Sequence, residues 1–168
     1  MNRATELKKY FYYNSETGVF TWKRHRCVTL VGKVAGCFSK PNGYWLLTLH
    51  NKKMLAHKAA WAIYYGYWPR FELDHRDLCK SNNKIKNLRR SNKSNNGANR
   101  PPQATNTSGY KGVFWHKRGQ KWMAQVRCRN KLHYLGLFSS KVEAAKAYDA
   151  KAIVLFGAHA RLNLESVL

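Results

Sequence analysis

The feature that most constrains this chain is a long stretch, residues 78–142, that contains no Asp or Glu while Lys and Arg recur throughout it. Over all 168 residues there are 31 Lys and Arg against 8 Asp and Glu, a formal net charge of +23. A compact body with that charge repels itself, so we expect a polyanionic partner, nucleic acid first and an anionic membrane surface second. Hydrophobic residues make up 44% of the chain and are interleaved through the basic stretch, which favours folded domains with cores over a disordered tail.

Composition excludes several other classes of protein. The apolar runs, such as residues 59–67, are far shorter than the roughly 20 residues that a membrane-spanning helix requires. The amino terminus lacks the apolar segment of a secretory signal, so we expect a cytoplasmic protein with no membrane contact. The cysteines are Cys27, Cys37, Cys79 and Cys128. Without a Cys-x-x-Cys pair, they predict neither a disulfide framework nor a structural zinc site.

Residues 1–70 predict a β-rich amino-terminal part. The expected elements are a helix at Leu7–Tyr13, strands at Val19–Trp22, Val34–Phe38 and Tyr44–Leu49, and a helix at Ala56–Tyr65. The last two strands are joined through Asn42-Gly43, a dipeptide typical of hairpin turns. Gly66, with Pro69 soon after it, ends the second helix.

Residues 71–100 predict two short strands around a polar loop, followed by a helix. We expect the strands at Phe71–Leu73 and around Leu88-Arg89, and the helix to be capped by Ser91 or Asn92. Residues 101–109 are rich in Pro, Thr, Ser and Gly, which is the composition of a linker. A domain boundary is therefore expected there.

Residues 110–168 predict three strands and one helix. The strands are expected at Gly112–His116, Trp122–Cys128 and His133–Phe138. The four residues from Ser140 to Glu143 form a capping box, apolar residues then recur at helical spacing as far as Phe156, and Gly157 suits the helix end. The fold class is therefore α+β, with a three-stranded antiparallel sheet packed on one helix and its other face free.

The free face of this sheet is the first candidate site. Because side chains alternate along a strand, we expect Met123, Gln125 and Arg127 to point outward. The alternate set Trp122, Ala124 and Val126 would then pack on the helix, although a slip of one residue reverses the two sets. The turns beside this face add Lys117, Arg118, Lys121, Arg129 and Lys131. Arg and Gln on an open sheet can pair with base edges in the major groove, and the alternative is an ordinary solvated face.

Asp74 and His75 form the second candidate site, and their spacing alone leaves two interpretations open. The simpler one is a polar turn without chemical function. In the other, Asp74 helps to bind a hard cation such as Mg²⁺, which prefers oxygen ligands. A neutral histidine can take a proton from an attacking water, and together the two would support metal-assisted phosphodiester cleavage.

A longer pattern around these two residues resembles the HNH endonuclease motif. It consists of Leu73-Asp74-His75-Arg76-Asp77, then Ser81-Asn82-Asn83, then Asn87-Leu88-Arg89, then Asn96. This is the version found in phage-encoded and homing endonucleases, whose amino-terminal part is also similar to residues 17–22, 34–36 and 56–61. The resemblance implies a ββα-metal nuclease core.

The HNH resemblance also implies a function for individual residues. Asp74 would bind the metal, His75 would be the general base, and Asn87 would tie the loop to the second strand by hydrogen bonds. The last letter falls on the helix, where Asn95 and Asn96 adjoin and counting from Leu88-Arg89 favours Asn96. Asp and Asn ligands suit one Mg²⁺ or Mn²⁺ ion rather than zinc. Either Arg89 or its neighbour Arg90 would clamp a phosphate.

The carboxy-terminal part resembles the APETALA2/ethylene-response-factor (AP2/ERF) DNA-binding domain. The similar segments are Ser108–Val113, Trp122–Ala124, Tyr134–Phe138, Glu143–Asp149 and Leu162–Leu164. Gln125, Arg127 and Tyr134 match positions that contact DNA in the plant proteins, and we include Lys111 among the expected DNA-binding residues. Phe114, Trp115 and His116 replace an Arg-rich strand of the plant family, so stacking or backbone contact is expected in place of base readout.

Together these features predict a DNA endonuclease that nicks or cuts double-stranded DNA by a one-metal HNH mechanism. The amino-terminal part and the carboxy-terminal sheet are expected to hold the duplex. We take the chain as a monomer in the cytosol, that of a bacterial host if a phage encodes it. The main rival is a non-catalytic transcription regulator with a decayed HNH motif, against which the intact motif residues argue. An RNA-binding protein is a third possibility.

Overall fold

A computed structural model describes residues 2–164 of the chain. It contains two compact units, the first ending at Asn92 and the second beginning at Lys93. The units differ from the predicted domains, because residues 1–70 and 71–92 form one unit while the helix of the 71–100 segment belongs to the other. Residues 165–168 of the predicted 110–168 domain lie outside the described residues.

The first unit is built from short helices and antiparallel strands around one core. In chain order the elements are α1 (Arg3–Tyr10), β1 (Phe11–Tyr13), β2 (Phe20–Trp22), β3 (Cys37–Ser39), β4 (Tyr44–Leu49), β5 (Lys52–Leu55), α2 (Ala56–Tyr65), β6 (Glu72–His75) and β7 (Leu88–Ser91). The strands pair as β1-β2, β3-β4-β5 and β6-β7. The core contains Leu7 of α1, Phe20 of β2, Leu47 of β4, Trp61 of α2 and Leu88 of β7. This shared core is the reason why residues 71–92 fold with the amino-terminal part.

Several predictions for the first unit are confirmed. Strand β4 and helix α2 have the predicted bounds. Strands β3 and β4 form the predicted hairpin, in which Gly43 adopts a φ of +71°. Helix α2 ends where Gly66 turns into the left-handed conformation, with a φ of +83°.

Two predictions for the first unit are wrong. The helix expected at Leu7–Tyr13 instead ends at Tyr10, and the aromatic residues that follow form β1. This strand pairs with β2 and buries Phe11, which overrides the helical spacing. Strand β5 is absent from the prediction because the two lysines at its start hide the apolar pair Met54-Leu55.

The second unit has the predicted sheet and helix. Its elements are α3 (Lys93–Asn99), β8 (Val113–His116), β9 (Lys121–Cys128), β10 (Lys131–Phe138) and α4 (Lys141–Phe156), with the antiparallel sheet in the order β10-β9-β8. The Ser140 hydroxyl accepts a hydrogen bond from the Val142 backbone nitrogen at 3.2 Å and so caps α4. Ala124 and Val126 are buried beneath this helix. The predicted orientation of β9 is therefore confirmed.

Helix α3 is part of the same packed body. Its Ala98 lies in a core cluster with Val126 and Tyr148, and the Ala98 carbonyl oxygen accepts a hydrogen bond from the Arg161 backbone nitrogen at 3.3 Å. Within residues 2–164, none of the helices combines the length and the apolar character needed to cross a membrane.

Candidate functional site

Strands β6 and β7 bring most of the predicted nuclease residues onto one hairpin, which we call the site hairpin (residues 72–91). In its antiparallel register Asp74 lies opposite Arg89, and His75 lies opposite Leu88. Asp74, His75 and Asn87 are all buried. Buried polar groups need partners, and those partners determine what the hairpin can do.

The Asp74 carboxylate forms a buried ion pair with Arg89. Arg89 donates to Asp74 Oδ2 from Nε at 2.9 Å and from a terminal guanidinium nitrogen at 2.7 Å, and the two side chains are only 10% and 9% exposed. This pairing corrects the predicted role of Arg89, because a guanidinium held by Asp74 is not presented to a DNA phosphate. The alternative, Arg90, is exposed and stacks over the Phe71 ring. Arg89 instead fixes the orientation of the carboxylate.

Asn87 holds the loop between β6 and β7 in shape. Its side-chain nitrogen donates to Asp77 Oδ1 and to the Asn82 carbonyl oxygen, each at 2.9 Å, and its side-chain oxygen accepts from the Asp77 backbone nitrogen at 3.1 Å. Asp77 also accepts from the Asn82 side chain at 2.6 Å. Partial burial raises the pKa of Asp77, but the hydrogen bonds to its carboxylate outweigh this effect and bring the pKa below its ordinary value. Asp77 is therefore the anionic centre of the loop.

The amino-terminal strands support the same loop from outside. The Tyr13 hydroxyl donates to the Asn83 carbonyl oxygen at 2.7 Å. Gly18 packs so closely against the loop that a Cβ atom there would lie 2.6 Å from the Lys84 backbone nitrogen, and its φ of +76° also favours glycine. The amino-terminal part, for which DNA contact is predicted, thus has an observed structural function at the hairpin.

His75 lies in a cluster of three rings. Its ring centroid is 5.0 Å from that of His57 on α2, edge to face, and 6.1 Å from that of Tyr44 on β4. Burial lowers the pKa of His75, although the Asn83 side chain and nearby carboxylates act in the opposite direction. Burial, and then the neighbouring His75, lower the pKa of His57 to about 3. Both imidazoles are therefore neutral near pH 7, and a neutral imidazole is the form that can accept a proton.

The last letter of the motif lies on α3, in the second unit. Asn95 and Asn96 are both partly buried on this helix, which begins directly after the predicted caps Ser91 and Asn92. Within residues 2–164, no three His, Cys, Asp or Glu side chains are grouped so as to hold a metal ion. Carboxylate and amide oxygens are the ligands that Mg²⁺ and Mn²⁺ prefer, whereas zinc prefers His and Cys.

Apart from Lys111, the predicted DNA-binding residues of the second unit lie on the sheet face that α4 does not cover, or in the turns beside it. We call this side the open face; its residues are Phe114, His116, Lys121, Met123, Gln125, Arg127, Leu132, Tyr134 and Leu137. Gln125 lies opposite Tyr134, and Arg127 is exposed opposite Leu132. Lys117 and Arg118 are exposed in the turn between β8 and β9.

Lys111 has a different environment from the one expected of a DNA-binding residue. Its ammonium group donates to the carbonyl oxygens of Gly97, Ala98 and Arg100, at 2.8, 2.5 and 2.7 Å. Burial, and then Arg161 and Arg100, lower its pKa to about 8. Because the ammonium caps the carboxyl end of α3, it is engaged inside the unit rather than presented to a phosphate.

Two family models match separate parts of the chain. Residues 54–98 match the model described as HNH endonuclease, and residues 108–158 match the model described as AP2 domain. The chain thus contains one segment that is similar to HNH endonucleases and another that is similar to AP2 domains. The HNH match contains the whole site hairpin and both candidate asparagines of α3, while the AP2 match contains the open face. Together the two matches support DNA as the partner.

Curated proteins similar to this chain are named as AP2-like or ethylene-responsive proteins. APETALA2-like protein 2 of Oryza sativa subsp. indica is 44% identical over 64 residues, which are 37% of this chain and 14% of that protein. AP2-like ethylene-responsive transcription factor PLT2 of Arabidopsis thaliana is 43% identical over 58 residues, 33% of this chain and 10% of the relative. Ethylene-responsive transcription factor ERF010 of the same plant is 43% identical over 61 residues, 35% of this chain and 33% of the relative. The chain thus spans a third or less of these relatives.

Sequence reasoning missed three residues of the site hairpin and its surroundings. Asp77 is the anionic centre of the loop, and its position in the Asp-His-x-Asp pattern was a usable signal. The contact of His57 with His75 was missed because it spans two elements that no local pattern connects. Tyr44 is predicted only as the first residue of a strand, whereas its ring lies against both histidines.

Proposed function

We propose that this chain is an endonuclease that hydrolyses phosphodiester bonds of double-stranded DNA, with His75 as the general base. The observation that carries the proposal is the site hairpin itself. It holds a neutral, buried His75 directly beside an oriented Asp74, within a segment that matches the HNH endonuclease model. The chemistry needs a base and a cation ligand that are each held rigidly, and burial of both side chains on a paired strand favours this.

The residues of the chain would divide the reaction between them. A ring nitrogen of His75 accepts a proton from the water that attacks phosphorus, which the neutral state of the imidazole permits. Asn87 keeps the loop beside His75 in one conformation through its hydrogen bonds to Asp77 and Asn82. Asp74 and Asn96, or the adjacent Asn95, would hold one Mg²⁺ or Mn²⁺ ion. When bound, that cation supplies positive charge to the phosphate and the leaving oxygen.

The AP2 segment would hold the duplex. Arg127, Lys121 and the exposed turn residues Lys117 and Arg118 place positive charge around the open face, where phosphate contacts supply most of the affinity. We place the enzyme in the cytosol, as a monomer of the phage-type or homing class. Each neutralised phosphate releases counterions, so binding should weaken steeply as salt rises.

A non-catalytic transcription regulator is the second candidate function. It is favoured by the relatives named as transcription factors, each similar over about a third of this chain. The two candidates differ in one property, because a regulator binds duplex DNA without breaking it.

The experiment that separates them is conversion of supercoiled plasmid to open circle in Mg²⁺, in Mn²⁺ and in EDTA. We expect nicking by the unaltered protein with either cation, and loss of nicking both in EDTA and in His75→Ala with DNA binding retained. His50→Asn is the matched control, because His50 is exposed and its left-handed conformation, with a φ of +49°, suits Asn. Its nicking should be unchanged. Binding without nicking in both cations, on plasmid and on DNA from the source of the protein, would establish the regulator.

A further inference from the structure

The open face exposes large apolar side chains in rows beside its polar residues. The register places Phe114, Met123 and Leu137 side by side across the sheet, then Gln125 beside Tyr134, then Arg127 beside Leu132. The exposed fractions are 42% for Phe114, 47% for Leu132, 60% for Tyr134 and 37% for Leu137. Single exposed apolar residues are ordinary, but a contiguous apolar surface of this kind indicates a binding site.

These side chains do not belong to the core of the unit. The opposite face of the sheet already packs on α4, where Val113 and Ala124 are fully buried and Val126 is 3% exposed. Because alternate residues of a strand point to opposite sides, Phe114 and Leu137 cannot reach that core without a slip of register. Their contact is therefore with something outside the unit.

Charge indicates what that contact is. The strands and turns of this sheet contain no Asp or Glu, and exposed Lys and Arg surround the apolar rows. The basic residues are Lys117, Arg118, Lys121, Arg127, Arg129 and Lys131. An anionic duplex is complementary to this rim, and the major groove is wide enough to admit a β-ribbon. The inference below rests on the DNA partner of the proposed function.

In the major groove, thymine is the base that offers an apolar group, its C5-methyl. We propose that the open face selects duplex DNA rich in A·T pairs by packing Phe114 and Leu132 against thymine methyl groups. Gln125, which lies between the two apolar rows, pairs with the N6 and N7 atoms of an adjacent adenine. An Arg at the position of Phe114 would instead favour guanine, so the apolar rows change which bases are selected.

Replacing thymine with deoxyuridine tests this proposal, since the exchange removes the methyl group and leaves base pairing intact. In EDTA, which prevents cleavage, the protein first selects bound duplexes from a random pool. Each thymine of the enriched site is then replaced singly. At one or more positions we expect affinity to fall about fourfold, which is the effect of losing one buried methyl group. This loss should be the same at low and high salt, because a methyl contact releases no counterions.

Two variants assign the effect to the open face. In Phe114→Ala, the penalty for deoxyuridine should disappear at one position and persist at the others. Val154→Ala is the matched control, because Val154 is 77% exposed on α4, the helix that covers the other face of the sheet. In this variant, every loss of affinity caused by deoxyuridine should remain. Thermal unfolding checks that both variants stay folded.

The outcomes distinguish failure of this inference from failure of the proposed function. Selective binding with no penalty at any thymine, or an enriched site dominated by G·C pairs, would overturn the methyl contact and leave the endonuclease proposal intact. Absence of binding to every duplex would overturn both. A penalty that Phe114→Ala removes would establish thymine selection by this face.

Discussion

The site hairpin of the first unit and the open face of the second unit use the same residue types in opposite ways. In the hairpin, Asp74 and Arg89 are buried and form an ion pair, and the side-chain amide of Asn87 donates hydrogen bonds within the loop. On the open face, Arg127 is exposed and Gln125 lies beside the exposed ring of Tyr134. Arg89 in the hairpin is therefore a part of the fold, whereas Arg127 on the open face is available to a ligand.

This difference follows from what each region is proposed to do. A group that moves a proton or binds a cation must be held in one geometry before the substrate arrives, which requires partners inside the protein. A surface that recognises DNA gains from side chains whose partners are bases and phosphates. Substitutions in the hairpin should therefore alter stability, whereas substitutions on the open face should alter affinity alone.

The largest expected effect is that of Arg89→Ala on stability. Removing the guanidinium leaves the buried Asp74 carboxylate without its ion-pair partner, which costs about 3–5 kcal/mol of unfolding free energy. Urea unfolding followed by circular dichroism measures the change. Arg90→Ala is the matched control, since Arg90 is exposed and loses only its contact with the Phe71 ring, which should cost about 1 kcal/mol or less. Equal effects of the two variants would contradict the proposed difference between buried and exposed arginines.

A second prediction concerns acid and the ring cluster around His75. Burial lowers the pKa of His57 from 6.5 to about 3. Between these two values the unfolded chain binds a proton that the folded chain does not, so stability is complete above about pH 6.5 and is lost as the pH falls. The loss approaches about 1.4 kcal/mol per pH unit for each such histidine, and the lowered pKa of His75 acts in the same direction.

His57→Phe tests this prediction because it keeps a ring in the cluster and removes the titrating nitrogen. Urea unfolding at several pH values from about 7.5 to 5 should show that the unfolding free energy of the variant depends less steeply on pH. The decrease in slope should correspond to at most one proton taken up on unfolding. The slope of the unaltered protein, measured under the same conditions, is the reference. If His57→Phe also kept that slope, another group would have to be responsible for the loss of stability in acid.

The sequence predicted those features of the two regions that depend on the order of neighbouring residues along the chain. Alternation along β9 correctly placed Ala124 and Val126 beneath α4, and the spacing around Asp74 led to the segment that the HNH model matches. The pairing of Arg89 with Asp74 could not be predicted, because it depends on which residues of two strands lie opposite each other. The environment of Lys111 could not be predicted for a similar reason, since its three carbonyl partners are brought to it by tertiary packing.

The smallest effect, and the one that most directly separates the two uses of basic residues, compares Arg127→Ala with Lys111→Met. Arg127 is exposed on the open face, so its loss should leave thermal unfolding unchanged, weaken DNA binding, and reduce the slope of log affinity against log salt by about one. Lys111→Met removes a cation that is engaged within the unit. It should lower the unfolding temperature and leave the salt slope unchanged.

Binding titrations at four or five salt concentrations, with unfolding curves for the same samples, measure both quantities. Lys121→Ala, at the other end of the open face, should behave as Arg127→Ala does, since its side chain is also exposed. A reduced salt slope in Lys111→Met would return that residue to the DNA-binding set. An unchanged slope in both Arg127→Ala and Lys121→Ala would remove the open face as the site of phosphate contact. The distinction holds because counterion release reports only the cations that reach the duplex.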